Sequence, residues 1–98
     1  MGFFGQARDM MKLRGEAKKM EAELKKIHVE AEENGISVTV NAKQELVAVA
    51  ISDELTDHRA IERDLIKAFN RAGTKAQQIG AQKMQEVMGG LKGLLGGE

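Results

Sequence analysis

Five cations recur at every fourth residue in the second half of this chain: Arg59, Arg63, Lys67, Arg71 and Lys75. On a helix that spacing makes a ribbon, and neighbouring like charges in it destabilise by roughly 0.2–0.5 kcal/mol per pair. Asp64 and Glu62 offset part of the repulsion. A row kept at that cost calls for an anionic partner. Three are open: solvent counterions, the acidic residues of the protein's own dimer, and a nucleic-acid backbone. Arginine at three of the five positions favours forked contacts to phosphate. A second basic set, Lys12, Lys18, Lys19, Lys25 and Lys26, lies towards the N-terminus. A solvated helix face is the ordinary account of such lysines.

Other chemistries find no support. There is no cysteine, which excludes disulfides, Cys-ligated zinc and thiol catalysis. His28 and His58 fall in different expected elements without metal-ligand spacing, and both are read as surface residues. No glycine-rich segment sits between a strand and a helix with a Lys-Ser/Thr pair after it, so there is no phosphate-binding loop. We expect no enzyme activity, no catalytic residue, no metal site, no cofactor and no small-molecule substrate. Base-reading motifs are missing too: no zinc finger, no helix-turn-helix glycine turn, no exposed aromatics on which single strands would stack. Binding to nucleic acid would rest on phosphate contacts, salt-sensitive and weak in sequence preference.

The 98 residues carry 15 Lys/Arg and 15 Asp/Glu, a formal net charge of zero. The sum hides a division. Residues 1–27 hold seven basic and four acidic side chains, residues 28–57 hold one and seven, and residues 58–98 hold seven and four. The ends are basic and the centre acidic. Patch charge, more than net charge, steers a polyanion.

The acidic centre is where the chain alternates. Ile27, Val29 and Ala31, then Ile36, Val38 and Val40, then Val47, Val49 and Ile51 have the period of two that marks strands with one buried face. Asn34-Gly35 between the first two runs is a tight-hairpin signal, since both residues tolerate positive φ. Asn41 to Glu45 form a looser polar connection without a glycine. Three antiparallel strands in meander order follow.

Helices flank the meander. From about Gln6, after a frayed lead over residues 1–5, Met10, Leu13, Ala17, Met20, Leu24 and Ile27 form a heptad seam. The lysines lie on the opposite face, and Asp9, Glu16 and Glu23 form an acidic edge. After the strands, Thr56 or Asp57 supplies the helix N-cap. Ile61, Leu65, Ala68, Ala72, Ala76 and Ile79 then share one stripe, with Phe69 as the aromatic placed to anchor a core. This helix should end near residue 88, with a break or bend near Gly73 or Gly80. Residues 91–98 read as a flexible Gly-rich tail after a single domain over residues 1–90.

At 1.5 Å per residue these helices would span about 33 and 46 Å, whereas six-residue strands reach only about 20 Å. Their ends must project as arms, and projecting apolar stripes need a second copy to cover them. We therefore expect a homodimer. No apolar run approaches the length of a membrane span of about 18 residues, and no signal-peptide pattern opens the chain. A cytoplasmic protein without a membrane partner is expected.

With these elements in place, the chain resembles the YbaB/EbfC family of bacterial nucleoid-associated proteins. The resemblance is carried by Met10-Met11-Lys12 and Lys18-Lys19-Met20-Glu21, by Gly35-Ile36-Ser37-Val38-Thr39-Val40-Asn41, by Ile51-Ser52-Asp53-Glu54-Leu55, and by Ala68-Phe69-Asn70-Arg71-Ala72 with Lys83-Met84 after it. It implies an α+β fold of order αβββα, intertwined as a homodimer with projecting helical arms. It also implies binding of double-stranded DNA in the nucleoid, for its organisation or for gene regulation. The DNA-binding residues would be Lys12, Lys18, Lys19, Lys25, Arg59, Arg63, Lys67, Arg71 and Lys75. An alternative is an interaction module whose arms dock a replication or recombination protein.

Overall fold

The computed structural model describes the backbone of residues 2–96 and the side chains of residues 9–90. Helix α1 (Gly2–Lys26) leads into strands β1 (His28–Glu33), β2 (Ile36–Asn41) and β3 (Leu46–Ile51), and helix α2 (His58–Gly96) closes the chain. The expected αβββα order is the observed one. The helix bounds are wider than expected. Helix α1 begins at Gly2 rather than near Gln6. Helix α2 passes Gly89-Gly90 without stopping and is unbroken at Gly73 and Gly80. Residues 2–5 and 91–96, expected as a frayed lead and a flexible tail, lie within the backbone of these helices, and their side chains fall outside the described residues.

The strands form one antiparallel sheet in the order β1-β2-β3. Asn34 (φ 48°) and Gly35 (φ 87°) both adopt the left-handed region, closing the β1–β2 hairpin with the tight turn their types allow. Between β2 and β3 the register shifts after Thr39: Thr39 faces Ala48 and Val40 faces Leu46, leaving Val47 as a bulge. The connection that follows β2 is no loose loop. The Asn41 carboxamide donates to Glu45 Oε1 at 2.7 Å and accepts from the backbone N–H groups of Lys43 and Glu45 at 2.9 and 3.0 Å. Gln44 takes the positive φ (66°) that a glycine would otherwise supply. The hydrogen bond from Asn41 is the main reason the Glu45 carboxyl titrates below its ordinary value of 4.5; desolvation opposes it, and Lys43 and Lys25 each add a lesser lowering effect.

The core lies between the sheet and α2. Val29, Ala31, Ile36, Val38 and Val40 meet Ala68, Ala72 and Ala76, bordered by Leu55, Ile61, Leu65 and Ile79. The three alanines are wholly buried, and their small size lets the helix backbone settle close to the strands. Phe69 is not the expected core anchor. It is 39% exposed, because it stands one position beyond the alanine row. Strand β3 is exposed along its entire length, since α2 crosses β1 and β2 instead.

The start of α2 is capped by Asp57, whose Oδ1 accepts from the N–H groups of Arg59 and Ala60 at 3.1 and 3.2 Å. The end of α1 is tied to the β2–β3 turn: the Ala42 N–H donates to the carbonyls of Leu24 and Ile27 at 3.1 and 3.0 Å. Helix α2 passes the same turn so closely that a Cβ added at Gly80 would sit 3.2 Å from the Ala42 carbonyl oxygen. Glycine here serves a close approach, which is why it does not break the helix. Of the expected α1 seam only Leu24 is buried; Met10 is 60% and Leu13 41% exposed. The whole body measures 68 × 22 × 16 Å, and α2 at about 1.5 Å per residue accounts for most of its length.

Candidate nucleic-acid interface

The cation ribbon of α2 is positioned by the helix's own period. Four of the five members precede a buried residue: Arg63 before Asp64, Lys67 before Ala68, Arg71 before Ala72, Lys75 before Ala76, while Arg59 precedes the half-buried Ala60. One residue is about 100° of helix rotation, and both series advance four residues at a time. The offset between them therefore stays constant, and the cations follow the line of sheet contact along one flank. Arg71 identifies which flank. Its Nη1 donates to Glu33 Oε2 at 2.6 Å and to the Glu32 carbonyl at 3.2 Å, both on β1. The row thus runs on the β1 side.

The opposite flank carries different residues. Leu65, Phe69, Gly73 and Gln77 follow the buried row by one position. Phe69, Gly73 and Gln77 join Val40, Gln44, Asn70 and Thr74 around a groove of about 330 Å3. Beyond that groove lies β3, where Leu46, Val47, Val49 and Ile51 are each 42–53% exposed. Ile66, two positions from the buried row, is 61% exposed on the side of α2 turned away from the sheet. Helix α2 thereby separates a cationic flank from an apolar one.

All nine expected DNA-binding residues are exposed, but their surroundings differ. Arg71 is bound to Glu33, and Arg63 Nε lies 3.5 Å from Asp64 Oδ1. Among the described residues, Arg59, Lys67 and Lys75 form no ion pair, nor do Lys12, Lys18, Lys19 and Lys25. The four lysines stand on α1, whose end is joined to the β2–β3 turn through the Leu24 carbonyl and Glu21. They form an arm of their own and do not extend the α2 row. Asp9, Glu16 and Glu23, the acidic edge, are exposed on that arm.

Two residues gained a place that the sequence reading did not give them. Glu33 holds Arg71, a pairing that depends on β1 running beside α2. Asp64, in sequence a relief for neighbouring cations, is 5% exposed. Its signal was available: extending the alanine row one turn backwards from Ala68 reaches Asp64.

Known proteins resemble this chain in sequence and in fold. The model of a family described as the YbaB/EbfC DNA-binding family matches residues 1–91. A nucleoid-associated protein of Chloroflexus aurantiacus is 40% identical over 81 residues, covering 78% of this chain and 81% of that protein. Another, from Afipia carboxidovorans, is 33% identical over 94 residues, covering 91% and 90%. A crystal structure of an uncharacterized protein from Helicobacter pylori shares the fold at a TM-score of 0.78, with 21% identity, covering 90% of this chain and 98% of that one.

Proposed function

The chain belongs to the YbaB/EbfC DNA-binding family, and from that premise we propose that it works as a homodimer on double-stranded DNA, gripping phosphates from the cationic flank of α2 and the lysines of α1. The observation that carries this reading is the separation of flanks. Unpaired Arg59, Lys67 and Lys75 line one side of α2, while the apolar surface of Phe69 and β3 occupies the other. A symmetric partner covering the apolar side leaves the cations free for a polyanion. Arg63 and Arg71 contribute more weakly, because each already has a carboxylate at hand. With no base-reading element, the protein binds many sequences and serves nucleoid organisation or gene regulation in the cytoplasm. Among the described residues no helix is long and apolar enough to cross a membrane.

The test is a titration of the protein into a labelled random-sequence duplex at low and moderate salt. Affinity should fall steeply with salt, and each phosphate-contacting cation removed should lower the log–log slope by about one. Arg63→Ala/Lys67→Ala and Lys18→Ala/Lys19→Ala should each weaken binding evenly across sequences. Absence of binding at the lowest salt, or variants that bind as the parent does, would sink the proposal.

A further inference from the structure

The cleft at the start of α2 has a lining unlike the rest of the surface. It encloses about 260 Å3 between the hairpin residue Asn34, the segment 54–57 and the first turns of the helix. Three of its lining side chains are carboxylates (Glu54, Asp57 and Asp64), and none is Lys or Arg. Asp57 is engaged in capping the helix. Asp64 is buried, and its Oδ1 has no hydrogen-bond donor. Its neighbouring cation, Arg63 Nε at 3.5 Å, belongs to a side chain 63% exposed. That distance is well beyond the roughly 2.7–2.9 Å of a charge-assisted hydrogen bond. A carboxylate so enclosed is costly unless it is both paired and hydrogen-bonded. The cleft borders the Asp64 side chain and is the side from which a donor would approach it.

The lining also selects the donor. Among the described residues no three His, Cys, Asp or Glu side chains come together as ligands of one metal ion would. The carboxylates are too dispersed for a compact ion and suit a larger cation with several N–H groups. Leu55, Ala60 and Ile61 supply an apolar wall of the kind that covers the methylene stem of a long basic group. The geometry points to this cleft as a binding site for a guanidinium or primary ammonium group, anchored on Asp64 with Glu54 at the mouth. The group's source is a free organic cation or a basic side chain of a polypeptide. The site meets the cationic row at the Arg63–Asp64 contact, but its lining holds none of the row's cations and its test does not depend on DNA binding.

Amide correlation spectra of the full chain test it with three probes: N-acetylarginine amide, its uncharged citrulline counterpart, and an acetylated Gly-Arg-Gly amide. Both arginine probes should shift the amides of Asn34, Leu55, Ala60 and Asp64 saturably, and the citrulline probe should not. Tighter binding of the tripeptide assigns the site to a polypeptide; equal binding assigns it to a free cation. Glu54→Gln should weaken the arginine probes several-fold and Asp64→Asn should abolish their effect. Glu54 is exposed and outside any helix or strand, so its variant decides the matter if Asp64→Asn does not fold. No saturable shift at tens of millimolar, an equal response to citrulline, or unchanged binding by Glu54→Gln overturns the site.

Discussion

Lys67 and Arg71 stand one turn apart in the same row, yet their surroundings divide their work. Lys67 has no ionic partner among the described residues, whereas Arg71 clasps both a carboxylate and a carbonyl of β1. Lys67→Ala should therefore weaken duplex binding and leave the thermal midpoint unchanged. Arg71→Ala should do the reverse in emphasis, lowering stability by up to about 1 kcal/mol for a half-exposed pair and affinity only slightly. Glu33→Gln releases Arg71 and removes a negative charge from beside the row, so duplex affinity at low salt should rise several-fold. Thermal unfolding and salt-dependent binding, run on all three variants, check these expectations together. Asn41 acts by a different means. Its hydrogen bond favours the ionised Glu45, so the carboxyl titrates below 4.5 in the folded chain. That stabilisation is complete above this value and is lost as the pH falls through the lowered pKa. Asn41→Ala should cost about 1 kcal/mol in urea unfolding at neutral pH, because the half-buried turn loses the hydrogen bonds from the Lys43 and Glu45 N–H groups. The deficit should narrow in acid.

At the scale of elements, two helical glycines should respond in opposite ways to the same change. Gly15 faces open space, and alanine there should stabilise by about 0.5–1 kcal/mol through ordinary helix preference. Gly80→Ala should forfeit that gain, since its new methyl would press on the Ala42 carbonyl oxygen at 3.2 Å. Urea unfolding of both variants measures the contrast. The order of elements was legible in the sequence because alternation and helical stripes each record burial within one segment. Val29, Val38 and Ala72 announce their faces locally. The bounds were less legible: Gly80 reads as a breaker until the neighbouring turn is seen. The site was legible as a row of cations but not as a flank. Only the placement of β1 beside α2 determines that Arg71 meets Glu33, and that Phe69 looks towards β3 instead of into the core. Asn41 escaped notice for a related reason, since its three hydrogen bonds involve the turn it builds.

The whole molecule is an elongated body with more apolar surface than a lone chain would keep in water. An exposed edge strand with Leu46, Val47, Val49 and Ile51 is a ready template for pairing with a second copy. A stable interface buries about 800 Å2 per partner, and the exposed apolar residues of β3 and of α1 (Met10, Met11 and Leu13) are the surface available to it. Light scattering after size exclusion should give a dimer. Val49→Glu should shift it to monomer and weaken duplex binding with it, by halving the number of cations on one particle. A dimer that survives this substitution would place the interface elsewhere. The shared four-residue step of the cationic and buried rows bears, finally, on what heredity can do with this helix. One codon inserted between Lys67 and Arg71 would bring arginine and lysine down where Ala72 and Ala76 now meet the strands. One codon deleted would swing the alanines outward and lay Gly73 and Gln77 against the sheet. Four codons gained or lost would nearly restore the match. Descendants of this gene are free to change letters along α2, but its length can drift only by whole turns.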